Sequence, residues 1–246
     1  MNQSLLQKTE RLMQAYQAGL LGGQKMPEHE NPHLDRNSKE NYMYFTLPMA
    51  LNYQRNSYVL WECANRMYGD SEGRRLYDSA YVVKADYDEF REILVGFRVA
   101  LQPNKQPEIW KRICVSVEEE LDGDIRNLFL RNNYRVKDIK DYLSRNKKMF
   151  PYLCGNKICN YWLYVIEQYT DCNFSDRENI TVAPDTHVIQ ASVKLGVITK
   201  QESQRSDVQS MTASRWRDLL RGTKWVPIDL HTPLWLWSRG GFSTEI

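Results

Sequence analysis

No apolar run in this chain of 246 residues is long enough to cross a membrane, and its first residues lack the basic start and continuous apolar core of a secretory leader. The five cysteines, Cys63, Cys114, Cys154, Cys159 and Cys172, are odd in number, dispersed and without a CxxC pair. That pattern argues against a disulfide framework or structural zinc and for free thiols in a reducing, intracellular compartment. Long β-branched alternation is almost absent, as are internal repeats and low-complexity tracts, so little in the chain asks for a sheet or a solenoid. Excess charge is lacking too. With 33 basic against 31 acidic residues the formal net charge is +2, so nucleic-acid binding cannot rest on bulk charge and needs basic groups gathered on one face.

Helical periodicity is what the chain has in quantity. A composition of 42% hydrophobic and 26% charged residues suits a globular protein of one domain or two lobes. Apolar spacing predicts an amphipathic helix over residues 4–20, then a polar loop over 22–42 where Gly, Pro and Asn cluster. A helical pair follows, over 45–54 with Pro48 in its first turn and over 56–68. Further helices are expected over 86–101, 108–121, 124–131 and 136–150, the last with a basic end. The economical fold class is all-α.

Chemistry concentrates in two later segments. In FPYLCGNKICN, Phe150 to Asn160, a turn containing Gly155 leads into an apolar helix that opens with Asn156 and Lys157. Backbone N–H groups at such a helix start hold a phosphate without reading sequence, directly or through a monovalent cation. Near the positive helix end, and partly desolvated, the Lys157 ammonium is destabilised and more free amine is available for attack on a sugar C1′. The bland alternative is a solvated surface lysine. In APDTHV, Ala183 to Val188, Asp185 stands where a helix N-cap is expected, and a carboxylate kept ionised by capping N–H groups can also stabilise an oxocarbenium. Since asparagine caps nearly as well, Asp185→Asn is expected to cost only a few tenths of a kcal/mol in stability. His187 reads as a structural hydrogen-bonding residue.

These two segments resemble the helix-hairpin-helix DNA glycosylases that include endonuclease III. Phe150 and Pro151 stand at the family's Leu-Pro positions, Gly155 at its second glycine and Lys157 at its catalytic lysine, with Lys147 and Lys148 as the next nucleophile candidates. Asp185, Thr186, His187 and Val188 match its Asp-Thr-His-Val run. Tyr152 replaces the first glycine, and YTDCNFSDRENIT lengthens the connection as in archaeal 8-oxoguanine DNA glycosylases, whose C-terminal pattern VPIDLHTPLWLWSR resembles in part. A third segment, LNYQRNSYVLW, resembles the element whose amide side chain fills the stack after a base is flipped out, with Gln54 in that place and Asn52 and Arg55 as neighbours able to share it. A polar turn is the plainer reading of Gln54.

The resemblance implies a single two-lobed domain over 1–246, with hairpin and catalytic residues within 136–200 and a C-terminal segment, 214–246, near a base pocket. It implies an intracellular monomer that excises a damaged base from double-stranded DNA and nicks the strand as a lyase, an oxidised purine such as 8-oxoguanine being the first substrate choice. Trp235, Trp225 and His187 are the candidate pocket residues, because an extruded purine needs a flat apolar wall. No metal is expected, and no iron-sulfur cluster, since no cysteine follows Cys172. Two alternatives stay open: an N-glycosylase for a free modified nucleotide, and a non-catalytic DNA-binding module.

Overall fold

The computed structural model describes residues 3–22 and 25–246, and among these every regular element is helical. The chain divides into two compact units: residues up to Met26 join Arg177–Ile246 in an outer unit, and Pro27–Asp176 form an inserted one. The segment 136–200 is thus shared between units. Lys157 belongs to the inserted unit and Asp185 to the outer.

Helix α1 (Gln3–Gln17) opens the outer unit and buries Leu12, Met13 and Ala15 along one stripe. The inserted unit holds α2 (Lys39–Ala50), α3 (Ser57–Gly69), α4 (Ser71–Arg75), α5 (Ser79–Lys84), α6 (Tyr87–Gly96), α7 (Gln106–Glu120), α8 (Arg126–Arg131), α9 (Val136–Arg145) and α10 (Asn156–Tyr169). Its axis is α2, buried from Asn41 to Ala50 without a polar face, as a helix enclosed on all sides must be. Two corrections to the sequence reading arise here. The polar loop ends before 39, because the Ser38 hydroxyl accepts from Asn41 N at 3.1 Å and starts α2 there, which puts Pro48 in the last turn rather than the first.

Several buried polar groups tie the helices of this unit together, although Tyr44 Oη, Arg55 Nε and Trp61 Nε1 are buried without a hydrogen-bond partner among the described residues. Thr46 Oγ1 accepts from Trp162 Nε1 at 3.1 Å and donates to Tyr42 O at 2.7 Å, while Asn41 Nδ2 donates to Tyr169 O at 2.8 Å, binding α2 to α10. Around them Tyr44 packs with Phe45, Trp61, Tyr68 and Tyr77 at centroid distances of 5.1–5.9 Å. Helix α9 stops at Arg145, short of the expected 150. Asn146 caps it, and the Met149 and Phe150 N–H groups both turn back to Asn146 O, at 2.9 and 3.2 Å.

The outer unit continues with α11 (Thr186–Leu195), α12 (Val208–Leu220) and α13 (His231–Arg239). Ser192 on α11 accepts from Trp216 Nε1 at 2.9 Å and donates to Val188 O at 2.7 Å, which fixes α12 against α11. Gly196 ends α11 at φ +92, a left-handed cap that glycine adopts without steric cost. No helix of the described residues is long and apolar enough to cross a membrane.

Candidate functional site

Between α9 and α10 the chain makes a hairpin turn over residues 146–155. Gly155 is the N-cap of α10 and brings no side chain to the helix end, so the N–H groups of Asn156, Lys157 and Ile158 lack intrahelical acceptors. Gly155, Asn156 and Lys157 are exposed, and so are Lys147 and Lys148 in the turn. The expected partial desolvation of Lys157 is corrected by that exposure: only its place at the positive helix end remains to act on the ammonium.

Tyr152, at the position of the first glycine, has φ +66. The turn keeps a backbone shape that favours glycine and adds a ring to it, at a strain on the order of 1 kcal/mol. That ring lies parallel to Tyr53, with centroids 4.1 Å apart and 5° between planes, and Lys105 Nζ stands 5.2 Å from one centroid and 5.4 Å from the other. Stacking and the cation contribute about 0.5–1 kcal/mol each, enough to offset the strain. A hydrogen bond from Lys105 holds the Tyr152 phenol below its ordinary pKa, while burial pushes that of Tyr53 up.

Since Tyr53 precedes Gln54, the stack ties the loop between α2 and α3 to the hairpin turn. Gln54 is exposed at φ +50. Its neighbours face inward. Asn52 is buried and accepts from Ser57 Oγ at 2.7 Å; Arg55 donates to Val99 O at 2.6 Å and Arg98 O at 2.9 Å, and burial lowers its pKa. The sharing of a wedge role by Asn52 and Arg55 is therefore corrected: these side chains hold the loop that presents Gln54.

In the outer unit Asp185 caps α11 as expected, with Oδ1 accepting from Val188 N at 2.9 Å. Its second oxygen accepts from Trp235 Nε1 at 3.1 Å, a partner that sequence reasoning missed. Trp235 is 8% exposed and packs edge-on against His187 at 5.3 Å, so it orients the carboxylate and offers little open face as a pocket wall. His187 Nδ1 lies 3.2 Å from Ser238 Oγ, which donates to Gln190 Oε1 at 2.9 Å, in keeping with a structural role. Trp225 lines a cavity of about 320 Å³ with Arg217, Arg221 and Pro227, a wall that includes neither Asp185 nor Trp235.

The geometry also revises the expected cost of Asp185→Asn. Two N–H donors address two different oxygens, and asparagine has one oxygen, so either Val188 N or Trp235 Nε1 loses its acceptor, at about 1–3 kcal/mol rather than a few tenths. Tyr53, Tyr152 and Lys105 were also missed. The one signal for them was the tyrosine standing where the motif has glycine.

Four of the five thiols are buried, and burial pushes Cys159 and Cys172 up to about 12. No group of three His, Cys, Asp or Glu side chains among the described residues is arranged to hold a metal ion. The chain matches no known family model, and no curated protein sequence matches it.

Proposed function

We propose that this protein is a DNA glycosylase of the helix-hairpin-helix kind, acting on a damaged base in duplex DNA and cleaving the strand as a lyase. The observation that carries the reading is Tyr152, which holds a glycine's backbone conformation in the hairpin turn and is stacked to the loop bearing Gln54. A hairpin with open N–H groups suits a backbone phosphate, and an exposed amide at its side suits the gap left by a flipped base.

In the reaction the Lys157 amine attacks C1′ as the glycosidic bond breaks, and the base leaves with the bonding pair. The nitrogen then loses a proton and the sugar ring opens to an imine. Removal of a C2′ proton expels the 3′ phosphate. The sequence resemblance alone gives the Asp185 carboxylate its part, the stabilisation of positive charge at C1′ in the transition state. Exposure of Lys157 in the free protein leaves bound DNA to exclude water from the amine. None of these steps calls for a metal or an organic cofactor. An oxidised purine, 8-oxoguanine first, rests on the sequence resemblance alone.

Borohydride trapping on duplexes bearing a single lesion tests the proposal. The wild type is expected to give a covalent adduct and a nick, and Lys157→Gln neither, with lesion binding only modestly weakened. Undiminished trapping by Lys157→Gln would move the nucleophile to Lys147 or Lys148. The exposure of Lys157 equally suits a phosphate-contacting lysine in a non-catalytic module, for which binding without base release or trapping is the expected result.

A further inference from the structure

The outer unit carries a second charged feature. A cavity of about 600 Å³ is walled by Lys8 and Arg11 of α1, Lys194 of α11, Trp237 of α13 and the tail residues Phe242 and Glu245. Lys8 and Arg11 are three residues apart on one helix face, a like-charge pair that costs about 0.2–0.5 kcal/mol where nothing offsets it. None of the three cations enters an ion pair among the described residues. Elsewhere Arg75, Arg126, Arg177, Arg205 and Arg215 each sit 2.5–2.8 Å from a carboxylate. Three cations still outnumber the acidic groups of the wall, the Glu245 side chain and the terminal carboxylate of Ile246, in a chain whose whole formal charge is +2.

The tail is built into this wall rather than draped over it. Phe242 N donates to Trp237 O at 3.0 Å, Trp237 Nε1 donates to Thr244 O at 2.8 Å, and Thr244 Oγ1 donates to Leu20 O at 2.7 Å. Phe242 itself is held at φ +60, a left-handed conformation unfavourable for an aromatic residue, with its ring edge-on to Trp237 at 4.9 Å and Lys194 Nζ 5.9 Å above it. An unmatched cation cluster, an aromatic wall and a volume within the usual range for small ligands coincide in one place.

We propose that this cavity binds the phosphate of a nucleotide, with Lys8, Arg11 and Lys194 on the phosphate oxygens and the Phe242 ring beside the nucleoside. The phosphate can come from a free mononucleotide or from a single strand of nucleic acid, and the inference does not depend on Lys157 being a nucleophile. Calorimetry with AMP, and with adenosine as the phosphate-free control, tests it. AMP is expected to bind at least tenfold more tightly than adenosine. The variant R11Q/K194Q, which alters two exposed side chains, is expected to lose at least tenfold in AMP affinity, and R11K/K194R to retain it. AMP binding no tighter than adenosine, or unchanged in R11Q/K194Q, overturns the proposal. A single-stranded oligonucleotide distinguishes the sources. If it binds tenfold tighter than AMP, with a salt slope that falls by about 1.4 in R11Q/K194Q, a strand is the ligand, and equal affinities assign the free nucleotide.

Discussion

Glu28, in the short turn Pro27–His29, is 1% exposed, and among the described residues no cation pairs with it. Both its oxygens lie within reach of one phenol, 2.9 and 2.8 Å from Tyr161 Oη. The Tyr161 phenol and the residue's own backbone N–H do not replace water around a carboxylate, so burial pushes its pKa up from 4.5 to about 7. The sign follows from proton binding. Between about 4.5 and 7 the folded chain holds a proton that the unfolded chain has released, so the stability contribution of Glu28 falls as pH rises through that window.

At roughly 1.4 kcal/mol per tenfold change in proton affinity, the full penalty above pH 7 is about 3 kcal/mol. Glu28→Gln removes the charge and keeps the contact, since an amide can accept from and donate to the same phenol. The variant is expected to match the wild type within about 0.5 kcal/mol at pH 4 and to exceed it by up to about 3 kcal/mol at pH 8. Urea unfolding in half-unit pH steps, compared at a common m-value, measures the difference and cancels every other titrating group. A stability difference that stays flat from pH 4 to 8, or a variant weaker than the wild type at pH 8, refutes the reasoning.

Asp185→Asn is expected to cost about 1–3 kcal/mol, much of it recovered when Trp235→Phe removes the orphaned indole donor; urea unfolding of the four proteins in that cycle reads the coupling, and additive losses would contradict the shared carboxylate. The same Asp185→Asn is expected to slow base release far more than it weakens folding, by several kcal/mol of transition-state stabilisation, in single-turnover assays. Tyr53→Ala and Tyr152→Ala are expected to be coupled by about 0.5–1.5 kcal/mol, and Tyr152→Gly to lie near neutral because relief of the φ +66 strain offsets the lost stack. Gln54→Ala is expected to slow release from a duplex more than from a single strand carrying the same lesion, and equal losses would return Gln54 to the role of a turn residue.

What the sequence made legible follows from the range over which each signal acts. The existence of the longer helices, though not of the short α4 and α5, and Asp185 as the cap of α11 depend on residues within one or two turns of each other and were readable. Local rules also compete, as at Ser38 and Pro48, where a capping hydroxyl ten residues earlier set the start of α2 and overrode the proline's preference for a first turn. Glu28 was hidden differently. It lies in a stretch whose Gly, Pro and Asn content reads as solvated loop, and no periodicity marks which of those side chains will be enclosed by α10.

Tyr152 shows the limit most plainly. A tyrosine in place of a motif glycine reads as a lost turn when only the residue type is known, since tyrosine disfavours positive φ. The turn persists because Tyr53, remote in sequence, supplies a stacking partner worth about as much as the strain, and periodicity reports which face a residue occupies but never which ring it meets. Trp235 was closer to legible. A tryptophan buried on the inner side of a C-terminal helix needs an acceptor for its indole N–H, and an acidic cap on a neighbouring helix is the kind of acceptor that need selects. The pairing itself is seen only in the fold, since the requirement does not select Asp185 among the 31 acidic residues of the chain. It implies that substitutions at either residue must be read as a pair, in stability and in rate alike.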